Sequence, residues 1–216
     1  MSAAAAWLNM TFAGFDFMVF KAMHDLFLSA GWLLTPVSRF MSFLGEAGWF
    51  EIVLALVLTS FRRTRRVGLA MVMALVVGTL ATDVVIKHLI CRPRPFVDQA
   101  GQYYRWYVEL GSQYAAGYSF PSGHTTAAMA AMGTLFAYYD RRYSWTALLF
   151  VALMGLARMY LYVHYPTDVV MGIIVGTAAV IIAWYVNKAL RKWCRGHAGS
   201  RLGRFVLAGG AENVQG

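Results

Sequence analysis

The sequence predicts an all-α fold, a polytopic membrane bundle, on three observations. Of its 216 residues 59% are hydrophobic and only 13% charged, whereas soluble domains average nearer half apolar and a quarter charged. Apolar runs long enough to cross hydrocarbon recur along the chain, and basic residues gather at alternate ends of those runs. This balance excludes a water-soluble globule and a disordered basic tail. The formal charge of +9 alone fits nucleic acid, anionic lipid, a topology signal or a phosphate site equally well.

Residues 1–45 form a first unit. Asp16, Lys21, His24, Asp25 and Arg39 interrupt every window long enough to cross, so this segment is read either as one spanning helix or as amphipathic helices in the interface. No basic stretch precedes its apolar run, and no cleaved signal peptide is expected. Residues 49–61 are a short span that carries Glu51 and ends at arginines able to reach the headgroups. Four clear spans follow at 67–86, 121–139, 143–163 and 169–186. Each has roughly 18 to 21 residues, enough to cross about 30 Å at 1.5 Å per residue. Residues 46–190 thus form the transmembrane core, and 191–216 a basic tail expected to be disordered at its end.

Arg62, Arg63, Arg65 and Arg66 follow the 49–61 span, Arg141 and Arg142 separate the next pair of inward ends, and Lys188, Arg191, Lys192, Arg195, Arg201 and Arg204 follow the last. With simple alternation all three clusters share one side, which the positive-inside rule makes cytoplasmic. Cys91 and Cys194 then fall on opposite sides and cannot pair. Gly172 and Gly176, at small-xxx-small spacing, are read as helix packing. No basic surface is left for nucleic acid.

The opposite ends carry the chemistry. Lys87 and Arg94 close the 67–86 span, Ser122, Gly123 and His124 open the next, Arg158 sits near the outward end of the third, and His164 and Asp168 bracket the turn into the fourth. Ionisable groups at membrane depth are costly and mark function. Three cations call for a multiply charged anion, since arginine offers phosphate a planar fork and lysine a point charge. Pro121 and Gly123 make 122–124 a helix start whose free N–H groups suit phosphate. Asp168, four residues after His164, can accept from one imidazole nitrogen and leave the other to attack phosphorus; His124 can protonate the leaving oxygen. The chemistry implied is in-line phosphoryl transfer through a phosphohistidine.

Lys87-x6-Arg94-Pro95, Pro121-Ser122-Gly123-His124 and Arg158-x5-His164-x3-Asp168 resemble, in order and spacing, the three signature motifs of the type 2 phosphatidic acid phosphatase (PAP2) family. The resemblance implies a PAP2/haloperoxidase-like core of about six helices. It also implies phosphate binding by Lys87, Arg94, Ser122, Gly123 and Arg158, a His164 nucleophile oriented by Asp168, a His124 general acid, and no metal or other cofactor. Ala157 stands where many members have serine. The six-helix core favours a spanning or half-inserted helix within 1–45.

Four further expectations follow. Arg92 and His88 flank the first motif and are expected to face headgroups. Asp83 is expected to pair with Lys87, four residues on. The aromatic stretch 102–118, with Tyr103, Tyr104, Trp106, Tyr107, Tyr114 and Tyr118, is expected to be an interfacial belt in preference to a substrate-contacting lid, although a lid over the phosphate site would satisfy both readings. The substrate is expected to be a lipid phosphate, best undecaprenyl pyrophosphate, with lipid A 1-phosphate, phosphatidylglycerophosphate and phosphatidate as alternatives. Phosphotransfer to a second lipid and a non-catalytic lipid binder or transporter are the rival readings. The expected setting is a bacterial inner membrane, with the site facing the periplasm, the C-terminus cytoplasmic and no obligate protein partner.

Overall fold

The computed structural model describes residues 1–112 and 115–208; Tyr114 and the last part of the expected disordered tail lie outside them. Among the described residues there are helices and no strand. In order they are α1 (Ala3–Thr11), α2 (Ala13–Leu44), α3 (Trp49–Ser60), α4 (Arg65–Ile90), α5 (Gln102–Glu109), α6 (Gly123–Tyr138), α7 (Arg141–Tyr160), α8 (Pro166–Gly196) and α9 (Arg201–Leu207). Ala13–Leu44, Arg65–Ile90 and Pro166–Gly196 are long and apolar enough to cross a membrane, and the protein is an integral membrane protein.

The N-terminal unit resolves into two parts. α2 breaks at Ala30, whose φ of −138° leaves the helical region. Before the break it packs over the loops at the motif-bearing end, with Phe20 against Tyr103, Tyr162 and Tyr165. Beyond it, α2 runs down α7: Thr35 bonds the Tyr160 hydroxyl, Ser42 bonds Arg158, and Met41 joins Met154 and Val151 in the central core. A tight turn, Glu46–Gly48, then passes the chain to α3. The short 49–61 span is therefore the lower part of a discontinuous crossing, since twelve residues cover only about 18 Å. Non-helical backbone at such depth persists where it lines a cavity, and Glu46, Ala47 and Gly48 line one.

The core lies where α4, α6 and α8 meet, backed by α7 and α3. The contact between α6 and α8 is backbone-close. A Cβ on Gly172 would sit 2.8 Å from the Ser122 carbonyl, and one on Gly176 would sit 2.6 Å from Met129 Cβ. The packing reading of these two glycines is thus correct, and Gly172 has the added effect of letting α8 touch the start of α6.

The aromatic stretch differs from the expected belt. α5 docks on α2, burying Trp106 and Tyr107 within the protein; Trp106 stacks on His24 and Phe17, and Phe96 stacks on Tyr107. Aromatic area buried against a neighbouring helix outweighs exposure at the interface. The first part of the basic tail is helical. α8 continues unbroken across residue 190, and α9 folds back so that Phe205 lies under the Arg65 guanidinium at 4.2 Å and Val206 is buried.

Candidate active site

The three motif segments are tied together by backbone before any side chain is considered. The Ser119 N–H donates to the Arg92 carbonyl at 2.8 Å, and the Ser122 N–H donates to the Asp168 carbonyl at 3.0 Å. The first motif is thereby anchored to the approach to the second, and the second to the third. Within α4 the helix widens to a π-helical stretch at Leu80–Ile86, a geometry that concentrates at functional sites. It delivers Asp83 and Lys87, joined at 2.6 Å as expected.

Ser122 opens α6 in extended conformation, and its hydroxyl accepts from the Thr125 N–H and the Thr125 hydroxyl. The hydroxyl is thus used as a helix cap. The free end of that helix faces a cation: a Cβ on Gly123 would lie 3.5 Å from Lys87 Nζ. Arg94 is held by carbonyls of Ala116, Gly117 and Val163, and its Nη1 lies 3.2 Å from His164 Nε2. Arg158 is 3% exposed, donates to the Ser42 hydroxyl, and leaves its Nε with no partner. A buried guanidinium N–H without an acceptor is destabilising by roughly 1–3 kcal/mol, and an anionic oxygen would satisfy it.

His164 sits in the turn between α7 and α8, just after Tyr162, whose φ of +54° turns the chain back toward the site. Its Nδ1 lies 2.8 Å from the Ser119 carbonyl. A carbonyl can only accept, so the proton is on Nδ1 and the lone pair is on Nε2, on the side of Arg94 and the cavity. Burial, then the charges of Arg94, Arg158 and Lys87, lower the His164 pKa well below the usual histidine range.

Asp168 stands differently from the sequence expectation. Its Oδ2 is 3.6 Å from His164 Nδ1, too long for a hydrogen bond. The carboxylate accepts instead from the Ser119 hydroxyl, from the Tyr165 N–H at 2.8 Å and from Arg92 Nη1 at 2.7 Å. It therefore orients the imidazole at one remove, by fixing Ser119, whose carbonyl holds Nδ1.

Arg92 likewise corrects an expectation. Far from facing headgroups, it is fully buried. It bonds Asn9, Asp16, Thr167 and Asp168 and lies 3.7 Å over the Tyr165 ring. Two carboxylates and a ring face offset its desolvation. Asp16, an acid with no basic residue three or four positions away in an apolar N-terminal helix, was the available signal for this partner. Nothing in the local sequence singled out Ser119 or Asn9.

Lys87, Arg94, Gly123, His124, Arg158 and His164 meet on one cavity of about 800 Å³. Ser122 and Asp168 stand behind its wall, both fully buried. From the cationic end the cavity continues between α3 and α4, past Ile52, Leu56, Val72, Val76 and Leu80. The span from Val72 to Leu80 is about 12 Å of helix. Among the described residues no group of three or more His, Cys, Asp or Glu is placed to hold a metal ion.

The PAP2 superfamily model matches residues 63–192. The chain belongs to this superfamily. Among its relatives are undecaprenyl-diphosphatase BcrC of Bacillus subtilis, 29% identical over 173 residues (78% of this chain, 81% of the relative), and the lipid A 4'-phosphatase of Porphyromonas gingivalis, 28% identical over 184 residues (79% and 73%). The fold matches the crystal structure of LpxE from Aquifex aeolicus, with a TM-score of 0.54 at 22% identity over 68% of this chain and 85% of that one. It also matches a PAP2-type phosphatidylglycerolphosphate phosphatase from Bacillus subtilis, with a TM-score of 0.53 at 21% identity over 85% and 97%. The PAP2 assignment makes this a membrane phosphatase of the lipid phosphatase family.

Proposed function

We propose that the protein hydrolyses a lipid pyrophosphate or phosphate monoester at the outer leaflet, without a metal ion, and that undecaprenyl pyrophosphate is its substrate. The observation that carries this reading is one continuous cavity with three cations at its blind end and an apolar channel between α3 and α4. A phosphate fits the first and an isoprenoid or acyl chain fits the second. Exposed Leu56, Val76 and Leu80 flank the opening, so a lipid enters sideways from the bilayer. The relatives named undecaprenyl-diphosphatase, in Bacillus subtilis and Sulfolobus acidocaldarius, support the polyprenyl choice. The lipid A 4'-phosphatase relative supports a lipid A phosphate as the second reading.

In this mechanism Lys87, Arg94, Arg158 and the N–H groups at Gly123 hold the phosphoryl oxygens. His164 Nε2 attacks phosphorus as the bond to the leaving oxygen breaks, and His124 donates its proton to that oxygen. Water then attacks the phosphohistidine, His124 takes the water proton, and the P–N bond breaks to release phosphate and neutral His164. Preorganised charge supplies most of the rate. The basic clusters support a cytoplasmic C-terminus and a site that faces outside.

The test is phosphate release in detergent with excess EDTA, from polyprenyl pyrophosphate and monophosphate, lipid A, phosphatidylglycerophosphate and phosphatidate. The pyrophosphate should be cleaved fastest, His164→Ala should abolish turnover, and acid-labile labelled protein should accumulate on a rapid quench. Inhibition by EDTA or full activity of the alanine variant overturns the mechanism; preference for another lipid overturns the substrate.

A further inference from the structure

A second cavity, of about 300 Å³, opens at the other end of the bundle. It lies about 30 Å along α8 from Asp168, at Asn187. Four cations line it, Arg66 from α4 and Lys188, Arg191 and Arg195 from α8, with no carboxylate among its lining residues. Its remaining walls are Tyr138, Trp184 and Asn187. Clustered positive charge is expected on this side from the positive-inside rule alone, and most such residues point into water. These differ in being organised around a recess. The Arg66 guanidinium sits over the Tyr138 ring at 5.4 Å and Lys188 Nζ over the Trp184 ring at 5.1 Å, while Arg191 Nη1 is tied to the Val206 carbonyl of α9 at 3.0 Å. At the floor Asn187 is 1% exposed. Its amide nitrogen donates to the Arg66 carbonyl and approaches the Tyr138 hydroxyl, and its Oδ1 has no partner. A buried acceptor left open calls for a donor such as a hydroxyl.

We propose that this cavity is a second phosphate-binding site, separate from the catalytic one, which takes the phosphate of an anionic, hydroxyl-bearing phospholipid headgroup or free phosphate. The volume is at the lower end of ligand pockets, which run from roughly 300 Å³ upward, so it suits a headgroup and excludes acyl chains. Exposed Tyr143, Trp145, Trp184 and Tyr185 ring this end of the bundle, marking headgroup depth. Basic pockets between helices at that depth are where anionic headgroups bind. Because α4 and α8 both reach the catalytic end and α9 closes over Arg191, occupancy braces three helices at once.

The test uses full-length protein in detergent and native mass spectrometry, with added phosphatidylglycerol, phosphatidylcholine or inorganic phosphate. Arg66→Gln with Arg191→Gln removes two of the lining cations. Arg62→Gln with Arg63→Gln removes the same net charge from exposed positions outside the cavity. Lys188→Gln is the milder single variant, and circular dichroism confirms helix content for each. Retention of phosphatidylglycerol by wild type and the Arg62/Arg63 variant, with at least a tenfold loss in the Arg66/Arg191 variant, establishes the lipid source. Retention of inorganic phosphate at millimolar concentration by wild type, lost in the Arg66/Arg191 variant and without lipid retention, establishes the free anion. Equal losses in both double variants, or retention of phosphatidylcholine as strongly as phosphatidylglycerol, overturns the proposal and leaves only diffuse charge.

Discussion

Arg92 and Asp168 are joined by a 2.7 Å charge-assisted hydrogen bond between two fully buried side chains. The pair links the N-terminal helices to the turn that carries His164, because the same guanidinium also bonds Asn9 and Asp16. Removing one partner of a buried pair leaves an uncompensated charge, at a cost of about 3–5 kcal/mol. Arg92→Gln should lower the unfolding free energy by about that amount in a denaturant titration. Turnover should drop at least tenfold with KM changed little, since Arg92 lies behind the cavity wall and positions Asp168. A rise in KM with kcat intact would assign Arg92 to substrate binding instead.

His164 gives a pH signature. Its imidazole is held neutral by burial and by the cations around it, so its folded pKa lies well below the ordinary value of 6.5. Below that pH the unfolded chain binds a proton that the folded chain does not. Stability must therefore fall as pH drops, with a slope approaching 1.4 kcal/mol per pH unit from this one group. Comparing wild type with His164→Gln between pH 7.5 and 5 isolates the contribution, and the variant should show the shallower slope. Parallel slopes would show that His164 is protonated in the fold at the lower pH.

Most of the helical bundle and the charged and histidine groups at the head of the cavity were legible in the sequence, because hydrocarbon thickness fixes span length and the motifs carry their own spacing; Ser42, Glu46 and Thr79, which also line it, were not. Lys87, Arg94, Gly123, His124, Arg158 and His164 converge as their spacing implied. The discontinuous crossing was not legible. Its upper half contains Arg39, which reaches the Leu110 carbonyl on the α5 loop, a tertiary partner that hydropathy cannot register. The role of Ser119 was equally hidden, because it acts through a backbone carbonyl on His164 and a hydroxyl on Asp168, neither of which depends on helical periodicity. Arg92 was misplaced for a related reason: its counter-charge Asp16 is 76 residues away.

Close packing of α6 on α8 predicts a steric cost. A methyl at position 176 would fall 2.6 Å from Met129 Cβ and 2.9 Å from the Thr126 carbonyl, and neither atom is the end of a flexible chain. Gly176→Ala should destabilise by about 1–3 kcal/mol. Because Thr126 and Ser122 share the first turns of α6, it should also reduce activity. Gly196→Ala, where the added carbon meets nothing within 4 Å, is the matched control and should be silent in both the unfolding and turnover assays.

Glu51 makes the last prediction. It is fully buried in the first turn of α3, and neither carboxylate oxygen has a hydrogen-bond partner in the protein. It shares its helix face with Ala55, four residues on, which lines the larger cavity and belongs to the central core. A buried carboxyl without partners costs stability whichever form it takes, and an apolar side chain of similar length removes that cost while filling the same space. Glu51→Met should raise the unfolding free energy by about 1–3 kcal/mol, read as a higher midpoint in a thermal melt, with turnover within twofold of wild type. Glu51→Ala should not share the gain, because it opens a cavity beside Ala55. A tenfold loss of turnover in the methionine variant, with the fold intact, would instead show that the carboxyl exchanges protons with the site across the channel wall.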